Sequence, residues 1–146
     1  WDDQPRMRPF VGVQGMLEAL SSKGIALAIV TARLIDPKLI RMQLEEIGLS
    51  SYLPVIFSRI DENHPWDDKE PTILRACHAL GCAPSETVLV GDIPHDITSA
   101  KRAGVGRSVA VLSGGIARPI LERAGPDVIA EGVWELPGII DTLFDL

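Results

Sequence analysis

An α/β fold with a three-layer, doubly wound parallel sheet is predicted by three features of the chain. Short apolar, β-branched runs alternate with amphipathic stretches of about ten to twelve residues, the pattern of βαβ units. The run Thr87 to Val90 is apolar enough to be buried on both faces, as in a parallel sheet covered by helices. Polar residues (Thr31, Lys69, Asp92 and Asp96) stand at or near the carboxyl ends of strands, where such sheets bind ligands.

Each element follows in order. Trp1 to Pro9 is polar and proline-punctuated and reads as a linker, or as the remnant of an upstream region; 10–146 reads as the domain. Gly12 to Lys23 carries Met16, Leu17 and Leu20 at helical spacing and ends at Gly24. Ile25 to Val30 is a strand stopping at Thr31-Ala32-Arg33. Asp36-Pro37 opens a second helix with Leu39, Ile40, Leu44 and Ile47 facing inward and Gly48 at its end. Val55 to Phe57 is a short strand, followed by a polar loop, Ser58 to Asp68, holding His64, Pro65 and Trp66. Lys69 precedes the helix Pro71 to Leu80, which Gly81 terminates. Then come the Thr87 strand, the helix Pro94 to Ala103, and the strand Ser108 to Leu112. Ser113-Gly114-Gly115 is a turn opening a helix from Ile116 to Ala124. Asp127 to Ala130 is a last strand, and Val133 to Leu146 a helix interrupted by Pro137.

Composition narrows the function. The chain has 146 residues, 46% hydrophobic, and a net charge of −6, enough for one globular core and no basic surface for nucleic acid. No apolar run approaches the length of a membrane span. Cys77 and Cys82 form no zinc pattern or disulfide framework and read as reduced thiols, so a cytoplasmic location is expected. The chain opens on Trp1 without a Met, which suggests a piece of something longer.

The chemistry concentrates in Gly91-Asp92-Ile93-Pro94-His95-Asp96. Gly91 lets the backbone turn, Asp92 lies just past the strand, and Asp96 falls one turn into the helix. Two carboxylates so placed are hard oxygen ligands for a divalent cation, typically Mg²⁺; the same acids would also favour the first turn of a helix. Thr31 and Lys69 supply a hydroxyl and an ammonium, which with a cation suit the neutralisation and alignment that phosphoryl transfer needs. Each also has an ordinary reading, Thr31 as a cap and Lys69 as part of a charged turn with Asp67, Asp68 and Glu70. Arg33 reads as pairing with a carboxylate or assisting phosphate. His95 reads as a helix residue rather than a proton carrier, and His78 as structural. The glycines of Ser113-Gly114-Gly115 could offer amides to an anion or simply serve the turn.

Val30-Thr31, Lys69 ahead of a helix, and Gly91-Asp92-x-x-x-Asp96 followed by Ala103-Gly104-Val105 resemble the second, third and fourth motifs of the haloacid dehalogenase superfamily. The nearest pattern is its phosphoglycolate phosphatase-like branch. The resemblance implies a Rossmann-like core and a Mg²⁺-dependent phosphatase that hydrolyses a small phosphorylated metabolite through an aspartyl-phosphate. In that reading Thr31, Ala32, Arg33 and Lys69 bind phosphate, Thr31 and Lys69 are catalytic, and Asp92 with Asp96 holds the metal.

One departure is large. The superfamily's first motif, Asp-x-Asp after an apolar strand, carries the nucleophile, and Asp2-Asp3 followed by Gln4-Pro5 is not that motif. The resemblance places its strand centrally, between those ending at Thr31 and Asp92. The expectation is therefore a core incomplete at its N-terminus, without a cap domain, inactive alone and completed by an upstream segment of the same protein. Other readings are a binding domain that lost its nucleophile, a dehalogenase needing no metal, and a receiver-like signalling domain. The order Thr, Lys, acids argues against the last.

Overall fold

The computed structural model of the chain describes residues 12–58 and 69–144. Helices and strands alternate: α1 (Val13–Ser22), β1 (Ala28–Thr31), α2 (Pro37–Glu46), β2 (Val55–Ser58), α3 (Glu70–Leu80), β3 (Val88–Gly91), α4 (Pro94–Ala103), β4 (Arg107–Val111), α5 (Arg118–Ala124), β5 (Val128–Ala130) and α6 (Leu136–Phe144). The expected linker at the N-terminus and the loop carrying His64 and Trp66 lie outside the described residues.

All strand pairing among the described residues is parallel. β1 lies beside β2, with Ala28 opposite Val55 and Thr31 opposite Ser58. β3 lies beside β4, with Val88 opposite Arg107 and Gly91 opposite Ala110, and β4 lies beside β5. The two groups do not join: β1 and β3 make no ladder with each other. A groove of about 130 Å³, several times the space of one water, is lined by Ala28 and Val30 of β1 and by Val88, Leu89 and Val90 of β3.

Helices cover both faces of the sheet. Side chains of a strand alternate between faces, and along β4 Val109 and Val111 join one core while Ala110 joins another. Val109 and Val111 pack with Met16, Leu17 and Leu20 of α1, Ile40 and Leu44 of α2, and Leu136 and Ile140 of α6. Ala110 packs with Ile97 of α4 and Leu121 of α5, both fully enclosed. On that same side Ile73 and Cys77 of α3 meet Val30 and Leu89. Since Ile29 faces the first core and Val30 the second, the three-layer arrangement holds on both sides of the groove.

Local chemistry sets the helix ends. Asp36 caps α2 by accepting from the Lys38 N–H at 2.9 Å, with Pro37 in the first helical position. α4 ends at Gly104 in a left-handed conformation, φ 77°, and the Val105 N–H reaches back to the Ala100 carbonyl at 3.0 Å. Cys77 is buried and Cys82 half-buried, both as free thiols.

Several expected details are corrected. Leu39 is half-exposed instead of inward, because one residue turns a helix by about 100° and the buried stripe of α2 runs through Ile40 and Leu44. β1 begins at Ala28, three residues later than Ile25. α5 begins at Arg118 rather than Ile116: Pro119 sits in its first turn, and Ser113 and Gly114 belong to a separate short 3₁₀ turn, so they are not a helix N-terminus. Pro137 opens α6 instead of interrupting it, since a proline in the first turn displaces no helical hydrogen bond. His78 is an exposed position on α3.

β3 is also less enclosed than the sequence predicts. Val88, Leu89 and Val90 are half-buried, as are all four residues of β1, whereas Ser108 to Val111 of β4 are buried. The difference follows from neighbours: β4 has a strand on each side, and β1 and β3 each border the groove.

Candidate active site

Lys69 and Asp96, 27 residues apart in the chain, meet at the groove between β1 and β3, where both line its wall. Lys69 is the residue from which α3 starts, so the helix aims its side chain from one fixed point. Asp96 lies in the first turn of α4, brought back toward the strand end by the Gly91 to Pro94 turn. The Lys69 ammonium donates to Asp96 Oδ1, and the two side chains are 15% and 7% exposed. Two opposite charges this withdrawn from water require each other, because either one alone would stay desolvated and unpaired.

Asp96 has a second partner. Its Oδ2 accepts the backbone N–H of Asp92 at 3.2 Å, so both carboxylate oxygens are engaged and the backbone at Asp92 is pinned. The approach depends on Gly91: a Cβ there would stand 2.3 Å from Asp96 Cβ and 2.5 Å from Oδ2. A carboxylate that binds a backbone N–H two positions before the helix, from its first turn, does more than offset the helix dipole.

Asp92 differs from Asp96 in exposure and in hydrogen bonding. It is exposed, and among the described residues its carboxylate accepts no hydrogen bond. Its side chain rests instead against the loop after β4, where a Cβ on Gly114 would lie 2.3 Å from Asp92 Oδ2. No cluster of three or more His, Cys, Asp or Glu among the described residues is arranged to hold a metal ion. Among the described residues Asp92 is thus the acid whose carboxylate carries no hydrogen-bond donor, while Asp96 holds its backbone.

Thr31 ends β1, one residue past the groove-lining Val30. Its Oγ1 accepts the Arg33 N–H at 3.2 Å, which fixes the turn leaving the strand. Ala32 is half-buried and Arg33 exposed, and among the described residues Arg33 forms no ion pair. The structure thus links Lys69 to Asp96 and Asp96 to Asp92, and Thr31 ends the strand on the other side of the groove from β3. His95 is half-buried, with Nε2 3.4 Å from the Ser99 hydroxyl, and faces that contact rather than the ion pair. The sequence around residue 114 carries no local signal for its closeness to Asp92, a side chain 22 positions away.

Comparison with known proteins identifies the family and the fold. The family model for haloacid dehalogenase-like hydrolases matches residues 2–111. The pyrophosphatase PpaX of Halalkalibacterium halodurans is 34% identical over 135 residues, 92% of this chain and 60% of that protein. A phosphoglycolate phosphatase of Aquifex aeolicus is 32% identical over 107 residues, covering 71% of this chain and 47% of its own length. The crystal structure of a hydrolase from Pseudomonas syringae superposes with a TM-score of 0.76 at 28% identity, over 91% of this chain and 62% of the other. The chain accordingly spans about three-fifths or less of the length of these relatives. With the family model matched over most of its length and a relative 34% identical over 92% of it, the chain belongs to the haloacid dehalogenase-like hydrolase family.

Proposed function

We propose that the protein is a Mg²⁺-dependent phosphomonoester hydrolase acting on a small phosphorylated metabolite. The observation that carries this reading is the contact chain Lys69 to Asp96 to Asp92 at the groove, assembled from two separate stretches of sequence. The names of relatives, a pyrophosphatase and a phosphoglycolate phosphatase, support a phosphorylated substrate.

In this reading Asp92 holds the metal with its uncommitted carboxylate, other ligands coming from phosphate and water, since Mg²⁺ usually keeps few protein ligands. Bound there, the cation would offset phosphate charge and help hold the substrate in line. Asp96 keeps Asp92 in place and holds the Lys69 ammonium at the groove wall. Lys69 neutralises phosphate and the attacking carboxylate, and Thr31, with Ala32 and Arg33, binds phosphoryl oxygens from the other bank. The attacking carboxylate would displace the alcohol of the ester, which leaves with a proton from solvent, to form an aspartyl-phosphate; water would then hydrolyse it, releasing phosphate and restoring the carboxylate.

The attacking carboxylate belongs, in the same proposal, to an upstream segment of the same protein that enters the groove as a strand between β1 and β3. The half-exposed faces of these two strands, against the enclosed β4, support such a guest. The test is hydrolysis of an aryl phosphate by the full-length protein. Activity should need Mg²⁺, disappear with a chelator, and fall on the order of 100-fold or more in Asp92→Asn and Lys69→Ala. The segment 1–146 alone should be inactive. Chelator-insensitive turnover, or Asp92→Asn with wild-type rates, would overturn the reading.

A further inference from the structure

We infer that Gly114 is a positioning residue: its bare Cα forms the wall against which the Asp92 carboxylate is held for metal binding. This rests on the proposed role of Asp92 and adds a residue from a different loop to it.

The two acids are fixed in opposite ways. Asp96 is held by hydrogen bonds, its Oδ1 by Lys69 and its Oδ2 by the Asp92 N–H. Asp92 has none of this on its carboxylate among the described residues, and it stands exposed at the rim. A side chain so placed would ordinarily exchange among staggered rotamers. What confines it is contact. A Cβ on Gly114 would lie 2.3 Å from Asp92 Oδ2, 2.6 Å from Cβ and 2.7 Å from Cγ, so the whole side chain lies along the glycine. Each value is far shorter than a van der Waals contact, and no side chain at 114 is compatible with this placement of Asp92.

Space is the reason for this glycine, in contrast to its neighbour. Gly115 has a φ of 90° and open space around its Cβ position, so its identity follows from the turn. Gly114 is not in the left-handed region, so its requirement comes from Asp92. A carboxylate confined in advance loses less freedom when a cation binds, which strengthens binding without any added ligand. The 3₁₀ turn Leu112–Gly114, at the end of β4, thereby sets the metal affinity of a side chain at the end of β3.

The experiment measures Mn²⁺ binding to the full-length protein by the electron paramagnetic resonance of free Mn²⁺, with substrate absent. The wild-type protein should bind, and Asp92→Asn should not. Gly114→Ala should raise the dissociation constant at least about tenfold while its melting temperature without metal stays near wild type. An alanine variant that binds like wild type overturns the inference and leaves the role of Asp92 standing. A wild-type protein that binds no Mn²⁺ overturns both. Should the variant not fold, the Gly114 amide resonance of the wild-type protein decides during a Mg²⁺ titration. A shift that saturates, and that Asp92→Asn abolishes, supports the inference; an amide that does not respond overturns it.

Discussion

Lys69 and Asp96 form a withdrawn ion pair whose acid also grips the backbone of Asp92, so one carboxylate ties the start of α3 to the end of β3. The stability of the fold and the geometry of the site share this contact.

Removing one member of the pair leaves the other desolvated. Lys69→Met and Asp96→Leu should each destabilise the full-length protein by about 3–5 kcal/mol. The double variant should cost clearly less than the sum, with a coupling of at least about 1 kcal/mol in urea unfolding. Additive losses would show that the charges do not depend on each other.

Gly91 has no room for a methyl group. Gly91→Ala should cost about 1–3 kcal/mol as Asp96 is pushed off the strand end, measured by thermal or urea unfolding. Turnover should fall with it, since the displaced acid releases both Lys69 and the Asp92 N–H.

Thr31 has a structural duty besides the proposed phosphate contact. Thr31→Ser keeps the oxygen that accepts the Arg33 N–H, so both stability and turnover should stay near wild type. Thr31→Val loses that bond, at about 1 kcal/mol, and should lower turnover much more than that destabilisation explains. Equal turnover in the two variants would remove Thr31 from phosphate binding.

His95 touches Ser99 and not the ion pair. His95→Ala should leave turnover within about twofold of wild type, and the pH–rate profile should keep its shape. A collapse of activity would mean that the ring takes part in the chemistry beside Asp92 and Lys69.

Much of this layout was legible in the chain because the relevant signals are local. The bounds of α4 follow from Pro94 and the Ala103-Gly104 stop, and the stripe Ile97, Ala100, Ala103 is buried as its spacing predicts. Thr31, Lys69 and the Asp92 to Asp96 pair stand out because polar residues interrupt apolar patterns there. Three other features depend on distant parts of the fold. Leu39 is apolar yet exposed, a matter of which way α2 is rotated on the sheet. The different surroundings of two similar acids become visible only once Lys69, 27 positions earlier in sequence, is placed against Asp96. Likewise, Gly114 looks like any turn glycine until Asp92 is laid against it.

The separation of β1 from β3 bears on how the molecule holds together as a unit. Each inward-facing peptide group along those two margins has to satisfy its hydrogen-bonding capacity somewhere, with water or with a guest backbone. A guest that enters is bonded left and right at once, like the tongue of a clasp. It would make two half-sheets, otherwise joined through their helices, melt as a single cooperative body.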